Sequence, residues 1–187
     1  MNFVKRAFDV SSSFIALIIL LIPFAVISLI LIISQGRPVF LIQKRYGRGG
    51  QPFNIYKFRT MKKSAPVMAS NDLSGDYITP IGRILRKTSV DELPQLLNVL
   101  KGDMSIVGPR PLIVEEEKIH HLRTENGIYA VRPGITGWAQ VNGRDDVSAE
   151  EKVEFDKYYV ENFSPWLDLK ILFKSVTTVI FGKGLRK

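Results

Sequence analysis

The strongest pattern in the chain is an apolar run of twenty residues, from Phe14 to Ile33, that contains no charged side chain. Its length is sufficient to cross a hydrocarbon core of about 30 Å. It is longer than the apolar part of a typical signal peptide, and no small-residue cleavage site follows it. Pro23 lies in the middle, where it removes a backbone hydrogen bond and tends to kink a helix. A kinked spanning helix and a helix that bends at Pro23 and returns to the same face are equally supported.

Positive charge lies on both sides of this run. Residues 1–63 contain ten Lys and Arg residues and one acidic residue, Asp9, so their net charge of +9 exceeds the +8 of the whole chain. Because basic residues mark the cytoplasmic flank of a spanning helix, two basic flanks give a single span a contradictory orientation. Charge concentrated around an apolar segment favours an anionic lipid surface over nucleic acid as its partner.

Shorter patterns after the apolar run predict a mostly helical α+β domain. The apolar pieces PVFLIQ and PFNIYKF, separated by the glycine-rich turn 47–50, are typical of a β-hairpin. Ser148 and Glu151 have the spacing of a capping box, and Gly102 is suited to ending a helix. The predicted helices cover 81–87, 93–100, 115–125, which we expect to face solvent, and 148–162, while 64–79 is a predicted loop and 131–144 a loop with a short strand.

The tail 166–181 mixes large apolar side chains with Asp168, Lys170 and Lys174. A helix of this composition can lie in a membrane interface or pack onto the domain. The apolar run near the N-terminus favours the interface.

Composition excludes several kinds of chemistry. The chain contains no cysteine, which excludes disulfides and thiolate catalysis, and its two histidines are the adjacent His120 and His121. A His-rich metal site is therefore not expected. The sequence contains neither a P-loop nor a GxGxxG motif.

The adjacent carboxylates Asp91 and Glu92 have a structural explanation. Ser89 and Glu92 have capping-box spacing, but that register would place Pro94 where its ring crowds a helical carbonyl. With Asp91 as the N-cap, Pro94 falls at the third helical position, where no intrahelical bond is lost. A helix N-terminus also favours an ionised carboxylate, and such an Asp beside Arg86 can act as a nucleophile or a Mg²⁺ ligand. The pair alone favours capping over catalysis.

Three further segments carry residues suited to binding phosphate. Arg110 lies between Pro109 and Pro111 and follows Gly108, so its guanidinium projects from a restricted segment. The segment KFRTM adds basic residues beside an aromatic one, and VRPGITGWAQVNGR (131–144) adds more. Each motif is weak when taken alone.

In this order, however, the segments resemble the bacterial sugar transferase family, the monotopic phosphoglycosyl transferases typified by the initiating enzyme of the Campylobacter N-glycosylation pathway. The similarity covers nearly the whole chain and is carried by the basic start, the Pro-broken apolar segment, YKFRTM (56–61), SVDELPQLLNVLKGDMSIVGPRPL (89–112), VRPGITGWAQVNGR (131–144) and EFDKYYV (154–160).

The resemblance implies an enzyme that moves a sugar 1-phosphate from a UDP-sugar to polyprenyl (undecaprenyl) phosphate with Mg²⁺, releasing UMP and initiating bacterial glycoconjugate synthesis. It implies that Asp91 is the covalent nucleophile and metal ligand, with Glu92 assisting it. Arg86 and Arg110 are then expected to contact phosphate or nucleotide. The further substrate-binding residues implied are Lys57, Arg59, Gly108, Pro109, Pro111, Gln140 and Arg144.

The resemblance also implies a topology. Residues 1–36 are expected to form a re-entrant helix-break-helix in the inner membrane, and 37–187 a small catalytic domain on its cytoplasmic face with interfacial amphipathic helices. Membrane phospholipid is an expected partner, nucleic acid is not, and a homo-oligomer is compatible with the sequence. No residue identifies the sugar. A membrane-anchored binding module and a polyprenyl-phosphate hydrolase are the alternative functions.

Overall fold

The computed structural model describes residues 3–65, 77–143 and 147–181. The fold is α+β and mostly helical, with one antiparallel hairpin, as predicted. The α-helices are α1 (Phe3–Ile19), α2 (Leu21–Gln35), α3 (Pro80–Lys87), α4 (Leu96–Lys101), α5 (Glu117–Glu125), α6 (Trp138–Asn142), α7 (Ala149–Glu161) and α8 (Pro165–Phe181). The strands are β1 (Phe40–Tyr46), β2 (Pro52–Phe58), β3 (Ser105–Val107) and β4 (Gly134–Thr136), and 3₁₀ turns cover Arg48–Gly50, Val90–Gln95 and Ile128–Ala130.

The apolar run forms two helices, α1 and α2, that meet at an angle of 60°. The break lies at Leu20, so the prediction of a bend at Pro23 was right in kind and wrong in position. A proline ring crowds the carbonyl four residues earlier, which for Pro23 is that of Ile19. Helix α1 therefore ends at Ile19, before the proline. Within the described residues no single helix has the length and apolar composition of a membrane span, whereas the bent pair together has both.

One side of α1 is polar and packs onto the rest of the chain. Lys5 forms an ion pair of 2.6 Å with Asp168 of α8, and the Asp9 carboxylate accepts a bond of 3.2 Å from the Ile106 amide. Arg6 donates 2.7 Å to the Val99 carbonyl near the end of α4. Each contact crosses the boundary at 36/37 that was predicted between the membrane segment and the domain.

Helix α2 also contributes to a buried cluster. Leu31 is fully buried and packs with Phe58 of β2 and Leu85 of α3. Many other apolar side chains of α1 and α2 are exposed, including Phe14, Ile15, Ile18, Ile19, Leu21, Ile22, Val26, Leu29 and Ile33. The bent pair is therefore apolar toward the outside and joined to the domain on the inside.

The hairpin forms as its sequence pattern predicted. Strands β1 and β2 pair antiparallel, from Phe40 opposite Phe58 to Tyr46 opposite Pro52. Gly49 and Gly50 have φ angles of 70° and 69°, which glycine adopts without steric cost, so they allow the tight turn.

Strands β3 and β4 form a short parallel pair in which two backbone segments lie unusually close. A Cβ on Gly137 would lie 2.1 Å from the Gly108 carbonyl oxygen, and one on Gly108 would lie 2.5 Å from that of Arg132. These glycines permit close packing of one backbone segment against the other.

The later helices confirm some predictions and correct others. Helix α7 begins with the predicted capping box, in which Ser148 and Glu151 each accept a bond from the other's backbone amide. The segment 131–144 contains the predicted strand but also α6, which was not predicted. In α8, Leu167 and Ile171 are buried while Trp166 and Phe173 are 75% and 73% exposed, so the helix packs on one side and presents apolar surface on the other.

Candidate active site

The two carboxylates lie in the 3₁₀ turn Val90–Gln95, between α3 and α4. Ser89, before the turn, has a φ of 57°, and its side chain caps nothing. Helix α4 begins only at Leu96, so the prediction that Asp91 is its N-cap was wrong. An α-helix through Pro94 would place its ring against the Val90 carbonyl, which explains why α-helical geometry starts after the proline.

Glu92 is the centre of an ion-pair network. Its Oε1 accepts 2.7 Å from Lys57 Nζ and 3.0 Å from an Arg110 Nη atom. Burial alone would raise the pKa of Glu92, but the charges and hydrogen bonds of Arg110 and Lys57 outweigh it and hold the pKa well below its usual range. Glu92 is therefore ionised at every physiological pH.

Asp91 has the opposite electrostatic environment. Its side chain is buried, with 8% of the residue exposed. Burial and the neighbouring charge of Glu92 raise its pKa, and Lys57, Arg86 and Arg110 only partly offset this. The expected stabilisation of the ionised form by a helix N-terminus is not found, because Asp91 is not at the start of an α-helix. Three cations therefore lie near the Asp91 carboxylate, yet its ionised form is less stabilised than that of Glu92.

Arg86 approaches this carboxylate from α3. The helix starts with Thr79 as N-cap, whose side chain accepts 3.0 Å from the Gly82 amide, and with Pro80 in its first turn. Near its end, Arg86 Nε donates 2.9 Å to Thr60 Oγ1, and the charges of Arg86 and Asp91 act on each other's pKa.

The loop that carries Arg110 is supported from behind by a buried ion pair that the sequence did not indicate. Arg123 of α5 pairs with Asp156 of α7, and both side chains are at most 4% exposed. Arg123 Nη1 also donates 2.7 Å to the main-chain carbonyl of Arg110. The prediction that helix 115–125 is solvated was thus wrong for one face, on which Ile119, His120 and Arg123 are buried.

Other predicted substrate-binding residues have structural contacts. Arg59 donates 2.6 Å to each of the carbonyls of Gln35 and Gly36, at the end of α2. Gln140 donates 3.0 Å to the Ile135 carbonyl. Pro109 and Pro111 are buried beside Arg110, and Arg144 lies outside the described residues. The structure brings together Lys57, Arg86, Asp91, Glu92 and Arg110, whereas Arg59 and Gln140 make structural contacts outside this group.

The donor set determines which metal site is reasonable here. Among the residues that the structure describes, no three His, Asp or Glu side chains are grouped to hold an ion. Mg²⁺ needs no such cage, since it is usually bound by one or two carboxylates together with substrate phosphates. Glu92 is occupied by two cations, whereas none of the ion pairs within the described part of the chain includes Asp91. Asp91 is therefore suited to bind Mg²⁺ together with phosphate oxygens of the substrate.

Comparison with known proteins gives a family match over nearly the whole chain. The family model for bacterial sugar transferases matches residues 1–182. The chain is 44% identical over 189 residues to an uncharacterized sugar transferase, EpsL, of Bacillus subtilis (strain 168), and the alignment covers 98% of this chain and 90% of that protein.

Two further relatives have more specific names. The UDP-N-acetylgalactosamine-undecaprenyl-phosphate N-acetylgalactosaminephosphotransferase of Aeromonas hydrophila is 41% identical over 98% of this chain, which covers 45% of that protein. The UDP-glucose:undecaprenyl-phosphate glucose-1-phosphate transferase of Escherichia coli (strain K12) is 40% identical over 92% of this chain, which covers 39% of that protein. The chain thus spans less than half of these two relatives.

Proposed function

This chain belongs to the bacterial sugar transferase family, and from that membership we propose that it transfers a sugar 1-phosphate from a UDP-sugar to polyprenyl phosphate and releases UMP. The observation that carries the proposal is the buried Asp91 carboxylate, next to Glu92 and surrounded by Lys57, Arg86 and Arg110. Three cations and two carboxylates leave one net positive charge, which suits an anionic diphosphate. Two relatives are named as transferases that act on undecaprenyl phosphate, which supports the acceptor.

The reaction proceeds in two displacements at one phosphorus atom. An Asp91 carboxylate oxygen attacks the sugar-bearing phosphorus, the bond to the bridging oxygen breaks, and UMP leaves with that oxygen and its electron pair. A phosphate oxygen of polyprenyl phosphate then attacks the same phosphorus, which forms the lipid diphosphosugar and restores the Asp91 carboxylate. Mg²⁺ held by Asp91 and phosphate oxygens would neutralise charge that develops on the transferred group.

Glu92 acts in this scheme as a positioning residue. Its low pKa leaves no proton to donate near neutral pH. Its two ion pairs instead hold Lys57 and Arg110 next to Asp91, where preorganised cations stabilise the charge of the transferred phosphoryl group.

The exposed apolar surfaces support a location at the membrane. We infer that α1 and α2 form a re-entrant pair, because both ends of the pair contact the same domain through Lys5 and Arg59. The domain then lies on the cytoplasmic face with α8 at the interface. Reporter tags at the two termini should lie on the same side of the membrane, and tags on opposite sides would contradict this topology.

The proposed function is tested by mixing the membrane-embedded protein with single UDP-sugars. We expect the correct UDP-sugar to yield about one UMP per protein molecule without acceptor, and continuous UMP release once polyprenyl phosphate is added. Release of inorganic phosphate from polyprenyl phosphate alone would instead identify a hydrolase. Nucleotide binding without UMP release across a panel of UDP-sugars and Mg²⁺ concentrations would identify a binding module.

The rate of UMP release should depend on the ionisation of Asp91. Because the pKa of Asp91 is raised and only the ionised carboxylate attacks, the rate is expected to fall with decreasing pH at values above the ordinary Asp pKa of about 3.9. Glu92→Gln removes a neighbouring negative charge and releases Lys57 and Arg110 from their ion pairs, which should lower the pKa of Asp91. In this variant the rate of UMP release should therefore fall at a lower pH than in the wild type, although its maximal rate is reduced. Rates of both proteins measured from pH 4 to 9 check this, and a fall at the same or a higher pH in the variant would contradict it.

A further inference from the structure

A second arginine, Arg45, lies beside the loop that carries Arg110 and has no part in the scheme above. It is the penultimate residue of β1, and its backbone bridges antiparallel to that of Ile113, three residues after Arg110. One Nη atom donates 2.7 Å to Gln43 Oε1. Its Nε is buried and has no hydrogen-bond partner, and no ion pair within the described ranges includes Arg45. A buried donor of this kind is costly unless something binds it.

Arg45 also lies close enough to Arg110 for their two positive charges to interact. Burial first, and then the positive charge of Arg110, lower the pKa of Arg45 to about 10, against the opposing effect of Glu116, Glu92 and Glu115. The guanidinium stays protonated at neutral pH, so two like charges lie near each other. Glu92 is already shared by Lys57 and Arg110. An anion between the two guanidinium groups would relieve their repulsion and satisfy the free donor.

The position of Arg45 relative to Asp91 identifies which anion this is. Arg110 influences the pKa of both groups. Lys57, whose charge acts on Asp91, lies opposite Leu41, which is on the same face of the hairpin as Arg45 and four residues from it along β1. In a nucleoside diphosphate sugar the two phosphorus atoms are separated by one bridging oxygen. The sugar-bearing phosphate must contact Asp91, and the nucleotide phosphate must lie next to it. A cation adjacent to Arg110 but farther from Asp91 suits the second phosphate.

On the basis of the proposed function, we propose that Arg45 binds the nucleotide phosphate of the UDP-sugar and retains it as UMP departs. Arg110 lies between the two phosphates and contacts both. The guanidinium of Arg45 offers a planar set of donors to phosphate oxygens, and it stabilises the negative charge that the bridging oxygen acquires when its bond to the transferred phosphorus breaks.

Direct binding of UMP to the membrane-embedded full chain tests the proposal. Arg45→Gln is expected to weaken UMP binding about 10- to 100-fold, the range for loss of a charge-assisted hydrogen bond. Lys44→Gln makes the same change of charge on the neighbouring, exposed residue of the same strand and should bind UMP as the wild type does. Wild-type affinity in Arg45→Gln, or an equal loss in both variants, would overturn the proposal.

Thermal unfolding separates binding from a general loss of structure. In Arg45→Gln, UMP formation from the UDP-sugar should slow while the melting temperature stays that of the wild type. In-line displacement places the attacking phosphate of polyprenyl phosphate where the UMP phosphate left, so the second displacement is expected to slow as well. A lower melting temperature together with the weaker UMP binding would assign Arg45 a structural function and overturn the inference. A wild-type protein that neither binds nor releases UMP would contradict the proposed function itself, and the inference with it.

Discussion

Asp91→Asn is expected to reduce UMP release by roughly 10³-fold or more, because an amide cannot form the phosphosugar intermediate. The variant should also lose the covalent intermediate. After incubation with a UDP-sugar that is labelled in its sugar, the wild-type protein should carry the label and the Asp91→Asn protein should carry none. Glu154→Gln changes an exposed carboxylate to an amide on α7 and serves as the matched control, with wild-type release. Robust turnover by Asp91→Asn would exclude Asp91 as the nucleophile.

The same substitution should not weaken the fold. The pKa of Asp91 is higher in the folded protein than its ordinary value, so ionisation of this group opposes folding, and stability is lost as the pH rises from the unfolded toward the folded pKa. At neutral pH the neutral Asn removes that cost. We therefore expect the Asp91→Asn protein to melt at the wild-type temperature or above it, with a smaller difference in acid. A lower melting temperature would show that Asp91 stabilises the fold.

Arg123→Met is expected to destabilise the protein by about 3–5 kcal/mol, since it leaves the buried Asp156 carboxylate without its partner. Thermal and denaturant unfolding measure this effect. The Lys118–Glu150 pair joins the same two helices at the surface, so Lys118→Met is the control and should leave the melting temperature nearly unchanged. A small loss in Arg123→Met would mean that water or another group compensates Asp156.

A double variant separates stability from positioning. Replacing both members of the buried pair, in Arg123→Met with Asp156→Leu, should recover most of the lost stability, because no buried charge then lacks a partner. The rate of UMP release should nevertheless be lower than in the wild type, since the Arg110 carbonyl lacks the bond from Arg123 in both the single and the double variant. Full recovery of both stability and rate would show that Arg123 does not act through Arg110.

The parts of the fold that the sequence predicts well depend on neighbouring residues. The hairpin follows from two apolar pieces and a glycine-rich turn, and α7 follows from the spacing of Ser148 and Glu151. In both cases the interaction that selects the structure joins residues within a few positions of each other. The family resemblance also predicts that the acidic pair and the cations Lys57, Arg86 and Arg110 belong to one site, although no pattern of neighbouring residues predicts it.

What the sequence does not predict depends on contacts between distant segments. The 3₁₀ geometry at Asp91 and the burial of its carboxylate come from packing, and local capping rules predict the wrong register. Arg123 and Asp156 are 33 residues apart, and each lies in a segment of high charge that appears solvated when taken alone. Arg59 belongs to a basic motif near the site, yet the carbonyls it contacts are at residues 35 and 36.

The contacts of Arg59 and Leu31 make α2 part of the folded domain. Arg59 closes the end of α2, and Leu31 of the same helix fills the space between Phe58 and Leu85. The apolar bent pair of helices is therefore also part of the interior of the protein. Removing residues 1–36 would uncover Phe58 and Leu85 and would leave Asp168 without its ion pair to Lys5.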